Sequence, residues 1–92
     1  MHLSDCPEGY YGKNGDVGGS LGTISGNHVV KSREVCAKKC DNTPGCASFE
    51  HSNLEKKCNL NTEKEPTSET YKDYAFCIKV GGQLDFLKFI YL

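Results

Sequence analysis

The second half of the chain alternates apolar and polar residues, and a period of two predicts strands. Residues 46–51 form the first such segment, with Ala47, Phe49 and His51 on one side. Residues 57–61 form a second, with Cys58 and Leu60 on one side. A third spans residues 71–80, where Tyr74, Phe76, Ile78 and Val80 alternate with smaller or polar residues. Between the last two, residues 63–69 form a polar loop that contains Pro66.

The pattern changes to a helical one between residues 33 and 41. The hydroxyl of Ser32 can accept a hydrogen bond from an unpaired N–H of the first turn, and Glu34 complements the positive end of the helix dipole. Cys36 and Cys40 are four residues apart and therefore share one face. The sequence Thr43-Pro44-Gly45 ends the helix, because proline cannot continue it and Pro-Gly suits the centre of a type II turn. One helix packed on a small, mainly antiparallel sheet is an α+β fold.

The two ends of the chain have different patterns. Seven of the ten glycines lie in the first thirty residues. Asn14-Gly15 suits a tight hairpin turn between Tyr10-Tyr11 and Val17, and residues 21–30 are expected to be extended. At the other end, residues 81–92 are strongly apolar but follow no clean period. We therefore predict one domain over residues 1–80, followed by an apolar tail that either packs back on the domain or begins a linker or extension.

Six cysteines in 92 residues suggest that covalent bonds contribute to the stability of this small domain. A chain of this length has a thin hydrophobic core, and small domains often compensate with disulfides.

The formal net charge of −1 gives no overall field that would attract nucleic acid or an anionic bilayer. No stretch is long enough to span a membrane. The first twenty residues contain no apolar core of a signal peptide, so paired cysteines imply that Met1 begins a mature fragment.

Three roles for the cysteines can be compared by their spacing. Structural zinc sites use two close cysteine pairs, each with two to four intervening residues. Cys36 and Cys40 have three intervening residues, but Cys40 and Cys46 have five, the other cysteines stand apart, and neither His28 nor His51 falls at zinc-finger spacing. Redox catalysis uses Cys-x-x-Cys at a helix start, which this chain lacks. Neither a metal nor another cofactor is therefore expected.

Disulfides remain the simplest role for the cysteines, and their order along the chain favours one of the fifteen possible pairings. Cys40 ends the helix and Cys46 follows the Pro-Gly turn, so these two can meet locally. Cys36, one turn earlier on the same face, can reach Cys58 on the sheet. Cys6 and Cys77 remain, and they would join the N-terminal segment to the last strand.

The same residues resemble the PAN/apple domain family. The resemblance rests on Ser32-x3-Cys36-x3-Cys40-x5-Cys46-x2-Phe49, followed by Lys57-Cys58-Asn59-Leu60 and Tyr74-x2-Cys77. It covers roughly residues 6–80 and implies a helix cradled by a curved antiparallel sheet, with the three disulfides given above. It departs from the family at Asn59, where many members carry a large aromatic residue. The resemblance also implies an extracellular, non-catalytic role in binding proteins or carbohydrates.

Two classes of ligand point to different residues. A carbohydrate is recognised by exposed aromatic rings beside hydrogen-bonding groups. The candidates for that role are Tyr10, Tyr11, Tyr71 and Tyr74 with Lys72 and Asp73, although Tyr74 is better explained as a core residue. A sulfated glycan would instead contact the lysines in the middle of the chain, Lys38, Lys39, Lys56 and Lys57. A protein ligand could use any face.

Two other functional classes remain as alternatives. The chain could be a small secreted inhibitor that blocks a protease or an adhesion receptor, with residues 63–70 as its active loop. An enzyme is the weakest alternative, because Asp5, Asp16, Glu50 and His51 form no recognisable group of nucleophile, base and orienting residue. Glu50 and His51 are adjacent, so they should face opposite sides of a strand. We therefore expect an extracellular binding module that is part of a larger secreted or surface protein.

Overall fold

A computed structural model describes residues 6–18 and 23–80 of the chain. Within these ranges the elements, in chain order, are β1 (Tyr10–Lys13), β2 (Thr23–Val29), α1 (Arg33–Asp41), β3 (Ser48–Ser52), β4 (Lys57–Asn61) and β5 (Ala75–Lys79). The strands form one five-stranded sheet in the order β1-β5-β3-β4-β2, and every neighbouring pair is antiparallel. This arrangement confirms the predicted α+β fold. The predicted apolar tail, residues 81–92, lies outside the described residues.

Helix α1 begins and ends where the sequence predicts. The Ser32 side chain accepts a hydrogen bond from the Val35 N–H at 3.2 Å, which satisfies a donor of the first turn. After the helix, the Cys46 N–H donates to the Thr43 carbonyl at 3.1 Å and closes a turn. Gly45 in that turn has a φ of 82°, a conformation that glycine adopts without strain. The turn directs the chain from the helix into the central strand β3.

One face of the sheet packs against α1. Its buried side chains include Phe49 from β3 and Leu60 from β4, which meet the half-cystines of the helix. Three disulfides join Cys36 to Cys58, Cys40 to Cys46 and Cys6 to Cys77, and these are the pairs that the order of elements favours. Cys36–Cys58 links the helix to β4, so a helix of only nine residues is held on the sheet by a covalent bond.

The opposite face of the sheet is covered by two loops. Val17 from the first loop packs with Phe76 and Ile78 of β5 in a second, smaller apolar cluster. The two loops, residues 14–18 and 63–70, are joined to each other because the Asp16 carbonyl accepts from the N–H groups of Thr67 and Ser68 at 2.8 and 2.9 Å. We call this pair of loops the flap. Since α1 covers one face and the flap the other, all five residues of β3 are buried.

The structure corrects the prediction of a hairpin at Asn14-Gly15. Strand β1 pairs with β5, not with residues around Val17, which form no named strand. Gly15 instead lies against the second loop of the flap, where an added Cβ would clash with the ring of Pro66. The glycine is needed for this close approach, and its φ of 135° also favours glycine.

Two predicted strands have different bounds in the structure. The first strand of the second half, predicted over residues 46–51, is Ser48–Ser52. The last strand begins only at Ala75, because residues 71–74 form a turn in which the Tyr74 N–H donates to the Tyr71 carbonyl at 3.0 Å. The predicted strand at residues 57–61 is confirmed, and it carries Cys58 and Leu60 on the helix side.

Candidate functional site

The turn before β5 presents a partly exposed tyrosine held by its neighbours. Tyr71 is 53% exposed, and its ring centroid lies 5.7 Å from that of Tyr74. The Lys72 Nζ lies over the Tyr71 ring, 5.1 Å from its centroid, and pairs with Glu55 Oε2 at 3.0 Å. The Tyr74 hydroxyl donates to Glu55 Oε1 at 2.7 Å. We call Glu55, Tyr71, Lys72 and Tyr74 the tyrosine cluster.

The charged and polar groups of the tyrosine cluster stabilise one another's charge states and shift one another's pKa values. The hydroxyl of Tyr74 and the ammonium of Lys72 hold the pKa of Glu55 below its usual value. The same carboxylate raises the pKa of Lys72. Burial, and then the hydrogen bond to Glu55, raise the pKa of Tyr74 to about 12. At neutral pH the cluster therefore presents an ion pair and a protonated phenol beside the exposed Tyr71 ring.

Asp73 holds this turn against the turn between β3 and β4. Its Oδ1 accepts from the Ser52 hydroxyl at 2.7 Å, and its Oδ2 accepts from the Leu54 N–H at 3.2 Å. Asp73 was predicted as a ligand-contacting residue, but both of its oxygens are used within the domain. Through these two bonds Asp73 joins the turn that carries Tyr71 to the turn that carries Glu55. Lys56 and Lys72, one in each turn, have φ values of 56° and 49°, which are uncommon for residues with side chains.

A groove lies between α1 and strands β2 and β4. Its cavity has a volume of about 400 Å³ and is lined by Ser25, His28, Val35, Lys38, Lys39, Asn42, Thr43 and Leu60. We call it the lysine groove. Ser25 and His28 are joined by a 2.7 Å hydrogen bond between Oγ and Nε2. Among the described residues that line the groove none is acidic, so its two lysines give this part of the surface a positive charge.

An irregularity in β2 shapes one wall of this groove. The register with β4 shifts twice, between Thr23 and Ser25 and between Ser25 and His28. At the second shift Asn27 has a φ of 58°, and its N–H donates to Asn59 Oδ1 at 2.7 Å. A Cβ at Gly26 would lie 2.9 Å from the same oxygen, so glycine is needed there. Asn59, the residue that departs from the family pattern, thus supports the bulge beside the groove.

The remaining predicted ligand residues lie apart from these two sites. Tyr10, named from the sequence as a ligand residue, is buried, and its hydroxyl lies 2.8 Å from Asp41 Oδ1, so it presents no exposed ring. Its ring instead packs edge-on against Phe49. Tyr11, on the edge strand β1, is 49% exposed. Lys57 is the first residue of β4 and Lys56 lies in the turn before it; neither lines the lysine groove, so the four predicted lysines do not form one site.

The buried polar groups of β3 were not predicted from the sequence. Glu50 is 1% exposed under the flap, and its Oε2 accepts from the Val17 N–H at 3.0 Å and from Asn61 Nδ2 at 2.8 Å. Burial and the nearby carboxyl of Asp16 raise the pKa of Glu50 to about 8. At neutral pH the Glu50 carboxyl is therefore mostly protonated.

His51 is buried on the opposite face, as the alternation of the strand predicts. Its Nδ1 accepts from Arg33 Nε at 3.3 Å, while its Nε2 has no hydrogen-bond partner among the described residues. Burial and the positive charges of Arg33 and Lys56 lower the pKa of His51 to about 4. Glu50 and His51 face opposite sides of β3, and both side chains are buried from solvent.

The described residues, 6–18 and 23–80, offer neither a cluster of metal ligands nor a membrane-spanning helix. In these ranges no three or more histidine, cysteine or acidic side chains come together in a way that could hold a metal ion. The only helix in them, α1, is too short to cross a bilayer.

Comparison with known proteins decides the family. The family model described as the PAN domain matches residues 15–79, which is more than half of the chain. The chain belongs to the PAN domain family. PAN domains are generally non-catalytic modules that bind proteins or carbohydrates, and they occur in extracellular proteins. The three disulfides of this PAN domain fit an extracellular location. No curated protein matches the chain, and no solved structure matches it.

Proposed function

We propose that this PAN domain is an extracellular, non-catalytic module that binds a carbohydrate at the tyrosine cluster. The observation that carries the proposal is the exposed ring of Tyr71, held in place by Lys72 and Tyr74. A sugar ring can pack its C–H face on an aromatic ring while its hydroxyls bond to nearby polar groups. Glu55 and Lys72 supply such groups at the edge of the cluster.

Rigidity supports the proposal. Asp73 ties the two turns together, and Glu55 links Tyr74 to Lys72 across them. A surface that is already ordered loses little conformational entropy when a ligand binds. Tyr71 can therefore contribute its contact area without a large ordering cost.

Replacing Tyr71 with alanine is expected to weaken binding of the selected glycan by about tenfold or more, because the stacking surface is lost. The ligand would first be found by applying the oxidised domain to an array of neutral, sialylated and sulfated glycans. Affinities would then be measured by calorimetry. The matched control is Tyr11→Ala, which removes a similarly exposed ring from strand β1 and should change the affinity less than about twofold.

Three results would contradict a carbohydrate site at this cluster. They are an array with no binding that depends on the oxidised fold, equal losses for the Tyr71 and Tyr11 variants, and full affinity without the Tyr71 ring. If no glycan on the array binds the domain, but a matrix or plasma protein binds it and this binding requires Tyr71, the cluster is a protein-binding site.

A second candidate function is inhibition of a protease through the exposed loop at residues 63–70. The supporting observation is that hydrogen bonds from Asp16 hold this loop in one conformation, as an inhibitory loop requires. Lys64, within the loop, is an exposed residue of the type that trypsin-like proteases recognise. An inhibitor should lower trypsin activity in proportion to its concentration and resist cleavage after Lys64. Rapid cleavage there without inhibition would exclude this function for trypsin-like proteases.

A further inference from the structure

One end of the sheet exposes two large apolar side chains. Val29, the last residue of β2, is 80% exposed, and Leu54, in the turn between β3 and β4, is 82% exposed. The two segments are neighbours, because Val29 pairs with Lys57 at the start of β4, and the Val30 N–H donates to the Lys56 carbonyl at 2.9 Å. Neither side chain stabilises the fold by being buried, so both are available to a partner.

Three lysines accompany these apolar side chains. Lys31 lies two residues after the end of β2, while Lys56 and Lys57 lie at the end of the turn and the start of β4. None of the three forms an ion pair with a described residue. The acidic residue of the same turn, Glu55, is already paired with Lys72 at 3.0 Å. Although the whole chain has a formal net charge of −1, this end therefore carries uncompensated positive charge. We call this surface the sheet tip and define it as Val29, Lys31, Leu54, Lys56 and Lys57.

The turn that carries Leu54 is held by hydrogen bonds. The Leu54 N–H donates to Asp73 Oδ2 at 3.2 Å, and the Glu55 N–H donates to Ser52 Oγ at 2.9 Å. The Lys56 N–H closes the turn on the Ser52 carbonyl at 2.9 Å. Lys56 has a φ of 56°, in the left-handed region where glycine or asparagine is more usual. The sheet tip thus presents an apolar and a cationic side chain on an ordered turn, so docking costs little conformational entropy.

We propose that the sheet tip docks the domain on a membrane surface that contains anionic lipids. Leu54 and Val29 enter the boundary between the headgroups and the acyl chains, where burial of apolar area is favourable. The three lysines lie at the level of the headgroups and contact their phosphate and carboxylate oxygens. This docking is peripheral, and it brings the domain to a cell surface independently of the tyrosine cluster.

Charge complementarity favours an anionic lipid surface over a protein as the partner. Lysine is depleted in protein–protein interfaces, whose apolar anchors insert into matching pockets. A bilayer interface needs no matching pocket, because it is soft and accepts separate protruding side chains. It also combines negative charge at the surface with hydrocarbon just below it, and the sheet tip combines lysines with protruding apolar groups in the same way.

The experiment measures co-sedimentation of the oxidised domain with lipid vesicles. One set contains phosphatidylcholine alone, a second adds phosphatidylserine, and a third adds phosphatidylglycerol at the same charge density. Soluble glycerophosphoserine is tested as a competitor of the second set. We expect binding to both anionic sets and not to phosphatidylcholine alone, with no competition by the soluble headgroup. Binding should weaken as salt is raised, since exposed charges are screened.

The apolar part of the proposal is tested by Leu54→Asn. Affinity for anionic vesicles should fall about tenfold or more, because the inserted side chain is lost. The control is Val35→Asn, which removes a partly exposed apolar side chain from α1 and should change the affinity less than about twofold. The backbone N–H of Leu54 still reaches Asp73 in the variant, so binding of a glycan at the tyrosine cluster should be unchanged. Failure of docking is therefore distinguishable from failure of the proposed carbohydrate site.

The charged part is tested by two double variants with the same change in charge. Lys56→Gln with Lys57→Gln should lower the affinity for anionic vesicles about tenfold or more, since each lysine near an anionic surface contributes separately. Lys38→Gln with Lys39→Gln removes two exposed lysines from α1, away from the sheet tip, and should lower it less than about threefold. Circular dichroism checks that every variant is folded.

Four results would overturn the proposal. They are no binding to either anionic set, unchanged binding of Leu54→Asn, equal losses for the two double variants, and full competition by glycerophosphoserine. Equal losses would mean that the lysines act only through the overall charge. Full competition would mean that the domain binds a free headgroup and not a membrane surface.

Discussion

Replacing Cys36 and Cys58 together with alanine is expected to lower the free energy of unfolding by about 3–5 kcal/mol. Closing a loop of this length contributes about 3 kcal/mol in the chain-entropy treatment of disulfides. Both half-cystines are fully buried, so losing their sulfur atoms also removes packing. The bridge further holds α1, which is too short to be stable as an isolated helix, against β4. A loss of this size is comparable to the whole stability of a small domain.

The control for that experiment is the pair Cys40→Ala and Cys46→Ala. This bridge closes a much shorter loop, with a sequence separation of 6 rather than 22, and contributes about 2 kcal/mol in the same treatment. Urea unfolding followed by circular dichroism gives both values. The interpretation would be wrong if removing Cys40–Cys46 costs as much stability as removing Cys36–Cys58.

Between pH 6.5 and pH 8 the stability of the domain is expected to fall by about 1–2 kcal/mol, because of Glu50. Its pKa is about 8 in the folded domain and 4.5 in the unfolded chain. Between these values the folded state binds a proton that the unfolded state has released, so each rise in pH favours unfolding. The pKa of Asp16 is also raised, by burial, and its contribution has the same sign.

His51 has the opposite effect at lower pH. Its pKa falls from 6.5 in the unfolded chain to about 4 in the fold, so stability due to His51 is lost as the pH drops through that range. The two residues partly cancel below pH 6.5. At pH 7.25 and above His51 is mostly neutral in both states, so the slope between pH 7.25 and pH 8 mainly reflects Glu50.

The variant Glu50→Gln tests this assignment. Glutamine keeps an oxygen that can accept from the Val17 N–H and the Asn61 amide, but it cannot ionise. Urea unfolding at pH 6.5, 7.25 and 8 should show a clear slope for the wild type and little slope for the variant. His51→Gln is the control and should keep the slope. A wild-type stability that does not change over this range would contradict a protonated Glu50 beneath the flap.

The sequence predicts the fold well where the interactions are local. Ser32 and Pro44 mark the ends of α1 through short-range backbone chemistry, and the alternation around Leu60 reports one buried face of β4. The hairpin at Asn14-Gly15 was predicted wrongly because the partner of β1 is β5, which follows it by more than sixty residues. A local turn signal carries no information about such a distant partner.

The candidate sites were predicted less completely for a related reason. Tyrosine is a residue type that often contacts ligands, but Tyr10 packs against the distant Phe49 and is buried. Glutamate is usually a surface residue, and Glu50 is buried because the flap covers its face of the sheet. Tyr71 and Lys72 were named from the sequence, whereas their link to Glu55 depends on two turns meeting across the end of the sheet. The apolar–polar pattern of the sequence does not predict such contacts between distant segments.

The Cys6–Cys77 bridge gives the domain a mechanical property. It joins residues 71 positions apart near the two ends of the fold, and beside it the Val80 N–H bonds to the Gly9 carbonyl at 2.8 Å. A pulling force applied through the chain on either side would pass from Cys6 directly to Cys77 across the covalent bond. The helix, the flap and the tyrosine cluster all lie between these two cysteines in the chain and would therefore lie outside the path of that force. A longer chain that contains this domain is expected to bear tension without extending the residues between Cys6 and Cys77.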